Sequence, residues 1–378
     1  MLNILTIIAQ YMLYRGLLFC RFVDEDQYYN KMVNIIKNNG VVFVKMGQIL
    51  SSRADNGGLP RVLIEKIRTM QDKCFYTDIS TLRTVPGVEY SSLSPIAAGS
   101  ICNIHPVTFA GRRAVIKSTH DNVQDYIDES IKTVKGLNIF SKYYYGYNIE
   151  KNIELDDYRQ YIIDQLDLAK EAEYQTRMRE LFRRFPQVHI PEVYLADRGY
   201  IVMEYLPEGL KYNDFIRVYP GHTMECISLL YAVILTMIQS GCIHGDLHFG
   251  NFTFRLVEGR VHINIFDFGI MLVLTPDQSA ILQRAFDVLE PSSARVRHFI
   301  DFAYSFDPTM QEQLRGVDLE KHYTLNQVLT MEIDMTWPLP CVSFFMTLQS
   351  FLTILKCRSK AERTDIMCYM IENDFIEI

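Results

Sequence analysis

The sequence predicts an α+β chain built as two lobes, a small β-rich lobe carrying one long helix and then a mostly helical lobe, with a helical extension in front. Three observations lead there. Short β-patterned runs broken by turn residues crowd between Ser94 and Lys117 and again between Val188 and Tyr205. Residues 223–240 and the chain beyond Gly269 are apolar at helical spacing. Before residue 90 the pattern is helical too, so the expected domains are 1–90, 91–206 and 207–378. A length of 378 residues, 48% hydrophobic and 22% charged, suits a globular chain with a large core.

Met1 to Tyr14 is rich in Leu and Ile and carries no charge before Arg15, yet it is shorter than the roughly 20 apolar residues of a spanning helix. It has neither a small-residue cleavage site nor a transit-peptide composition. A helix packed on its own domain is expected, with a membrane-surface helix as the alternative. Residues 25–52 are also helical in pattern. Phe43, Met46, Gly47 and Leu50 form an apolar face, while Lys45, Gln48 and Ser52 share another. A polar stripe of that kind is most often a solvated face. Residues 61–73 read as a further helix, followed by a linker with Pro86 and Gly87.

From Ser94 to Lys117 the order is strand, small-residue loop, strand, turn, strand. Ala97-Ala98-Gly99-Ser100 forms the loop, and Ala114-Val115-Ile116-Lys117 ends the third strand. In protein kinases a glycine-rich loop at this place covers phosphates, and the strand lysine sets an ammonium on the α- and β-phosphates. Alanine disfavours the positive φ that lets backbone N–H groups close over phosphate. A stiffer loop is therefore expected, with Gly99 relaxing one position. A long helix at about 154–185 follows, with Leu155, Tyr158, Ile162, Leu166 and Ala169 on one face and Asp164, Asp167 and Glu171 on another. One of these acids can orient the Lys117 ammonium, or the stripe is simply solvated. Pro186 and Pro191 end that helix. Strands at 188–190 and 200–205 lead to a hinge at Leu206–Gly209, where backbone groups near Glu204 and Leu206 would face an adenine.

The helix at 223–240 delivers the chain to His244-Gly245-Asp246-Leu247-His248-Phe249-Gly250-Asn251, with Asp267-Phe268-Gly269 sixteen residues after Asn251. Between them Val261–Phe266 alternates in polarity, as a half-buried strand does. Protein kinases hold Mg²⁺ on a nucleotide with this arrangement: an Asp near the attacking group, then an Asn and a second Asp on the metal. Asp246 would be base or water-orienter, and Asn251 and Asp267 the metal ligands. Magnesium takes oxygen ligands and accepts few from protein, so two side chains suffice beside phosphates and water. Beyond Gly269 the pattern is helical to the end, and the uncharged stretch Trp337–Leu355, with two prolines and several polar residues, reads as a buried helix.

Composition excludes other classes. A net charge of −7 without a polybasic run argues against a nucleic-acid binder. Eight cysteines without a C-x-x-C pair offer neither zinc spacing nor a dense disulfide framework, so reduced thiols inside a cell are expected.

With these residues in place, the sequence resembles the UbiB family, also called ABC1 or ADCK, of atypical protein-kinase-like proteins, from about residue 35 to 360. The resemblance rests on Lys45-Met46-Gly47-Gln48, the Ser51-Ser52-Arg53-Ala54-Asp55 after it, the alanines at 97 and 98, and the loop at 244–251. It implies a bilobal protein-kinase-like fold whose N-terminal extension lies over the active site, with Lys45 and Gln48 near the nucleotide. ATP and Mg²⁺ would be the cofactors. The implied activity is ATPase-like or lipid-related, linked to coenzyme Q and other isoprenoid lipids. Lys117, Asp246, Asn251 and Asp267 match the kinase positions, and Glu171-Ala172 matches the Glu-Ala after the family's Glu-x-Asp. That Glu-x-Asp is here Gln165-Leu166-Asp167, so a charge pair with Lys45 would lose half its acidic side. The expected function is thus a Mg²⁺-dependent ATP-binding atypical kinase or ATPase, the alternatives being a nucleotide-binding pseudokinase scaffold and an active protein kinase. Lipid or quinone-pathway partners and peripheral membrane contact belong to the same expectation, while the phosphoryl acceptor and the oligomeric state are not encoded in any motif.

Overall fold

A computed structural model describes residues 4–39, 42–43, 46, 62–63, 66, 84–92, 94–98, 101–120, 123–145, 155–287, 292–306, 368–369 and 371–373. Lys45, Gln48, Gly99, Ser100 and the stretch Trp337–Leu355 lie outside them. The chain forms two units, Met1–Ala169 with Leu195–Met203, and Lys170–Tyr194 with Glu204–Ile378.

The first unit holds helices α1 (Ile4–Phe19), α2 (Glu25–Asn38), α3 (Val123–Tyr145) and α4 (Leu155–Asp164). Its sheet runs β1-β3-β4-β7-β6, with β2 also paired to β3, from β1 (Val88–Tyr90), β2 (Ala97–Ala98), β3 (Cys102–Phe109), β4 (Arg112–Thr119), β6 (Val193–Asp197) and β7 (Tyr200–Glu204). Ala110 and Gly111, both at positive φ, close the β3–β4 hairpin, the backbone twist that a two-residue hairpin turn requires. β4 lies between β3 and β7, and Ala114 to Ser118 are buried on both faces. Helices α3 and α4 are joined by Lys135–Asp156 and Arg159–Asp128, each 2.7 Å. The extension is fastened to α4, where the buried Tyr158 hydroxyl donates to the Val42 carbonyl at 2.7 Å and burial pushes the phenol pKa well up.

Helix α1 lies against α2 and α3. Of its side chains Ile7 is buried, whereas Leu5 (73% exposed), Met12, Leu13 and Phe19 (88%) form an apolar stripe open to water, continued by Phe22. Packing on its own domain thus accounts for only one side of the helix. Helix α3 has no counterpart among the elements expected from pattern: Ile127, Ile131 and Val134 are buried at helical spacing, but Ser130 and Asn138 are buried with them and dilute the contrast.

The second unit contains most of α5 (Leu168–Leu181), then α6 (Tyr212–Val218), α7 (Thr223–Ser240), α8 (Pro276–Phe286) and α9 (Ser292–Tyr304). A three-stranded sheet orders β5 (Val188–His189), β10 (Arg260–Ile265) and β9 (Phe252–Val257) as β5-β10-β9, and β8 (Cys242–His244) pairs with β11 (Met271–Val273). Among the described residues, Pro220–Ser240 is long and apolar enough to cross a membrane. Yet Cys226 to Ile234 is buried without a break, packed with Phe215, Phe252, Phe254, Phe268 and Phe286, so α7 is the core of its unit. Gly241, left-handed at φ 66°, caps it by donating to Ile238. Thr275 opens α8 with a capping box to Gln278, and Ser279 Oγ donates to the Ile238 carbonyl, fastening α8 to the end of α7.

Four expectations change. Ala97 and Ala98, expected in a loop, form strand β2 and pair with β3. The single helix at 154–185 is two, broken at Gln165–Asp167. There the N–H groups of Gln165 and Leu166 reach carbonyls three residues back, and Leu168 N–H bonds Arg198 O at 3.0 Å in the β6–β7 turn. Strand β10 is not half-buried: Val261, Ile263, Asn264 and Ile265 are all covered. Asn264 is satisfied there by donating to Pro207 O (3.0 Å) and Thr253 Oγ1 (3.3 Å), so its polarity mimicked a solvent-facing position. Beyond Gly269 the chain makes β11 before its helices resume.

Candidate active site

In the second unit the site is built outward from β8, whose three residues are all buried. The apolar pair Cys242-Ile243 places His244 in the interior, where an imidazole must have its nitrogens satisfied. Nδ1 accepts from Asp246 N–H at 3.1 Å and Nε2 donates to Phe266 O at 3.0 Å. Those partners fix the tautomer, and burial holds the ring neutral by lowering its pKa. One ring therefore ties the loop carrying Asp246 to the segment carrying Asp267. Gly245 donates to Ile270 O at 2.8 Å, and a Cβ there would stand 2.7 Å from Ile270 Cγ2, so only glycine permits this approach.

The loop then turns on itself. Asn251 N–H donates to His248 O at 2.9 Å, and Gly250 N–H to His248 Nδ1 at 2.9 Å. Asn251 Nδ2 donates to Asp246 O at 2.8 Å, which fixes the amide's nitrogen side on the loop and turns its oxygen the other way. His248 Nε2 lies 3.8 Å from Asp246 Oδ2. Phe266 N–H donates to Asn251 O at 2.9 Å, so the two metal-ligand candidates flank one backbone bond. Asp267 itself is left-handed, φ 62°, a conformation that a short polar side chain tolerates better than most.

Of the three acids left open by pattern, Asp164 is exposed, Asp167 is half-buried and Glu171, on α5, is 3% exposed. Its Oε2 would be 3.3 Å from a Cβ at Gly269, and Asp267 Oδ1 would be 3.5 Å from the same point. Both carboxylates thus crowd Gly269. Glu204 has its N–H donated to Glu192 O at 2.8 Å and its Oε2 accepting from Glu192 N–H at 3.1 Å; Leu206 follows in the half-buried coil before Pro207.

In the first unit Lys117 sits on β4, 7% exposed. Register places it opposite Ile104 on β3, and Ile104 is also opposite Ala97 on β2. Directly opposed residues of antiparallel strands share a face, so Ala97 and Lys117 lie on one face at one level of the sheet. Ala98 pairs with Asn103. The structure therefore gathers Asp246, Asn251, Asp267 and Glu171 in one unit, and Ala97 with Lys117 in the other. The organising role of His244 was not anticipated; its signal was a polar residue ending an apolar strand.

The described cysteines, Cys20, Cys102, Cys226, Cys242 and Cys368, are free thiols. An ABC1 atypical kinase-like domain matches residues 88–297. Protein ACTIVITY OF BC1 COMPLEX KINASE 7, chloroplastic, of Arabidopsis thaliana is 24% identical over 324 residues, covering 74% of this chain and 45% of that protein. Probable protein kinase UbiB of Marinobacter nauticus is 27% identical over 265 residues, 65% of this chain and 48% of its own length. The chain spans less than half the length of these two relatives. The solved complex of Rv3197 with erythromycin from Mycobacterium tuberculosis matches 82% of each chain with a TM-score of 0.48 at 19% identity. The family match runs from β1 into α9 and takes in Lys117, Glu171, Asp246, Asn251 and Asp267, more than half of the 378 residues, and the chain belongs to the UbiB/ABC1/ADCK family of atypical kinase-like proteins.

Proposed function

We propose that this chain binds ATP with Mg²⁺ and works as a UbiB-like atypical kinase or ATPase in or near isoprenoid-lipid metabolism of the coenzyme Q type. The observation that carries the reading is the Asp246–Asn251–Asp267 arrangement, in which Asn251 donates from Nδ2 to Asp246 O and His244 ties Asp246 to the segment leading into Asp267. An amide oxygen and a carboxylate are the hard donors that Mg²⁺ takes, with phosphates and water completing its shell. When bound, the ion would neutralise charge on the phosphates. Asp246 takes the proton of an acceptor hydroxyl or orients a water, and Lys117 clamps phosphate with Glu171 as its orienting acid. Ala97 and Ala98 belong to the segment that covers the phosphates, and backbone groups near Glu204 and Leu206 meet the base.

Thermal unfolding of the full chain with ATP or ADP, with and without Mg²⁺, tests this beside Asp267→Asn. Ligand at about 100 times its dissociation constant adds roughly 2.7 kcal/mol, a rise of a few degrees. The rise should depend on metal and vanish in the variant; no rise with any nucleotide overturns the reading. Binding without turnover would instead select a pseudokinase scaffold, and label transfer to a protein would select a protein kinase.

Peripheral membrane contact is a second reading, favoured by the exposed stripe Leu5, Met12, Leu13 and Phe19, and by Arg15 and Arg21 as the sole charges before Asp24. Flotation with anionic vesicles should carry the chain and lose it on Met12→Glu with Leu13→Glu. Equal flotation of both would remove α1 from the contact.

A further inference from the structure

We infer that Gln175 and Arg179 are positioning residues for Glu171: they lock α5 to the segment Ile190–Glu192, so that Glu171 and the Asp267 turn are held as one piece. The inference rests on the reading of Glu171 as an acid of the nucleotide site. Glu171, Gln175 and Arg179 stand at i, i+4 and i+8, one face of α5. The first has its carboxylate against Gly269. A turn further on, Gln175, 1% exposed, donates from Nε2 to Pro191 O at 2.8 Å. At the third level Arg179 Nη1 donates to Ile190 O at 2.6 Å and lies 3.3 Å from Glu204 Oε2. The same Glu204 oxygen accepts from Glu192 N–H, so the anchor is itself braced from two sides.

Packing alone does not call for these residues. Met178 and Phe182 already bury the helix in the core, and an apolar side chain at 175 would pack as well as an amide. What Gln175 and Arg179 add is a donor for each of two successive carbonyls, Pro191 and Ile190, in the link between β5 and β6. The Arg179–Glu204 pair, with Arg179 45% exposed, contributes little by itself, and the bond to Ile190 O is the restraint. With both bonds made, the face carrying Glu171 can neither slide along nor roll about its axis, so the carboxylate stays at Gly269 rather than swinging with the helix.

Hydrogen exchange on the full chain tests this with Gln175→Leu, Arg179→Met and Arg179→Lys, beside a double-mutant cycle of Arg179→Met with Glu171→Gln on ATP turnover. Losing either donor should speed exchange of the Asp267–Ile270 amides about tenfold, the effect of one unsatisfied buried hydrogen bond. Cys102–Thr119 should be unchanged, and Arg179→Lys should fall between, since it keeps the charge but not the fork. kcat should drop about tenfold with KM for ATP unmoved, and Arg179→Met should add nothing once Glu171→Gln is present. Faster exchange confined to α5, or effects that multiply in the double variant, overturns the inference. A different result marks failure of the functional reading: Glu171→Gln leaves turnover and nucleotide binding intact while the exchange coupling between 175, 179 and 267–270 persists.

Discussion

The two regions that carry site residues hold them by different means. Around Asp246 and Asp267, positions are set by particular side chains bonded to backbone: His244 to the distant Phe266, and Asn251 to Asp246 and His248 to Gly250 within the loop. Lys117 is placed by strand register, eight paired positions along β3 and β4 of which its own is one. A register is shared among many backbone bonds, so no single side chain sets it, whereas a loop is only as firm as the few polar groups that pin it. The loop should therefore be brittle to point substitution and the strand tolerant.

The sharpest way to break this contrast is His244→Leu. It removes the donor to Phe266 O and the acceptor of Asp246 N–H, leaving two part-buried groups unpaired, at a cost of about 1 to 3 kcal/mol. Urea unfolding should show the loss as a lower midpoint at unchanged slope, and a cost below about 1 kcal/mol would mean that the loop is held by its backbone alone.

Lys117→Met is the counterpart. Since Ala114 and Ile116 are fully buried beside it and the pairing is backbone to backbone, amide protection across β3 and β4 should stay as in the parent while ATP turnover is abolished. Lost protection along the hairpin would show that the ammonium holds the strand, and the contrast would fail.

A smaller effect sharpens it with pH. In the second unit His189 Nε2 and His262 Nδ1 are 2.8 Å apart across β5 and β10. Burial, then the nearby Arg255, His262 and Arg179 cations, hold His189 down to about 4. The unfolded chain takes up this proton near pH 6.5 and the folded one only near 4, so stability should fall as pH drops through that window. Urea midpoints at pH 7.5, 6 and 5 should decline, and His189→Gln should flatten the decline. An unaltered slope in the variant would assign the pH dependence to other groups, such as His244.

Legibility followed the same division. The β3–β4 hairpin could be read because its turn and its apolar run are contiguous, and the loop His244–Asn251 because its polar residues fall within eight positions. The break between α4 and α5 could not be read. The apolar spacing of Ile162, Leu166 and Ala169 continues through it, and the chain is turned by a bond from Leu168 to Arg198, thirty residues away. Asn264 misled for a similar reason, since its partners Pro207 and Thr253 lie elsewhere in the chain.

The amino-acid order by itself determined which chemistry is on hand: two carboxylates and an amide at fixed spacing, a strand lysine, an alanine pair before it, and most of the helices and strands that display them. Local backbone preference and periodicity suffice for that, because they act over a few residues. Only the tertiary structure decided which acid is buried, Glu171 rather than Asp164, which imidazole joins the loop to the Asp267 segment, and which apolar helix lies in the core. Helices α1 and α7 are alike in hydropathy, yet one turns Leu5, Met12 and Phe19 to water and the other is buried without a break from Cys226 to Ile234. Burial is a property of what surrounds a residue, and its surroundings come from remote parts of the chain.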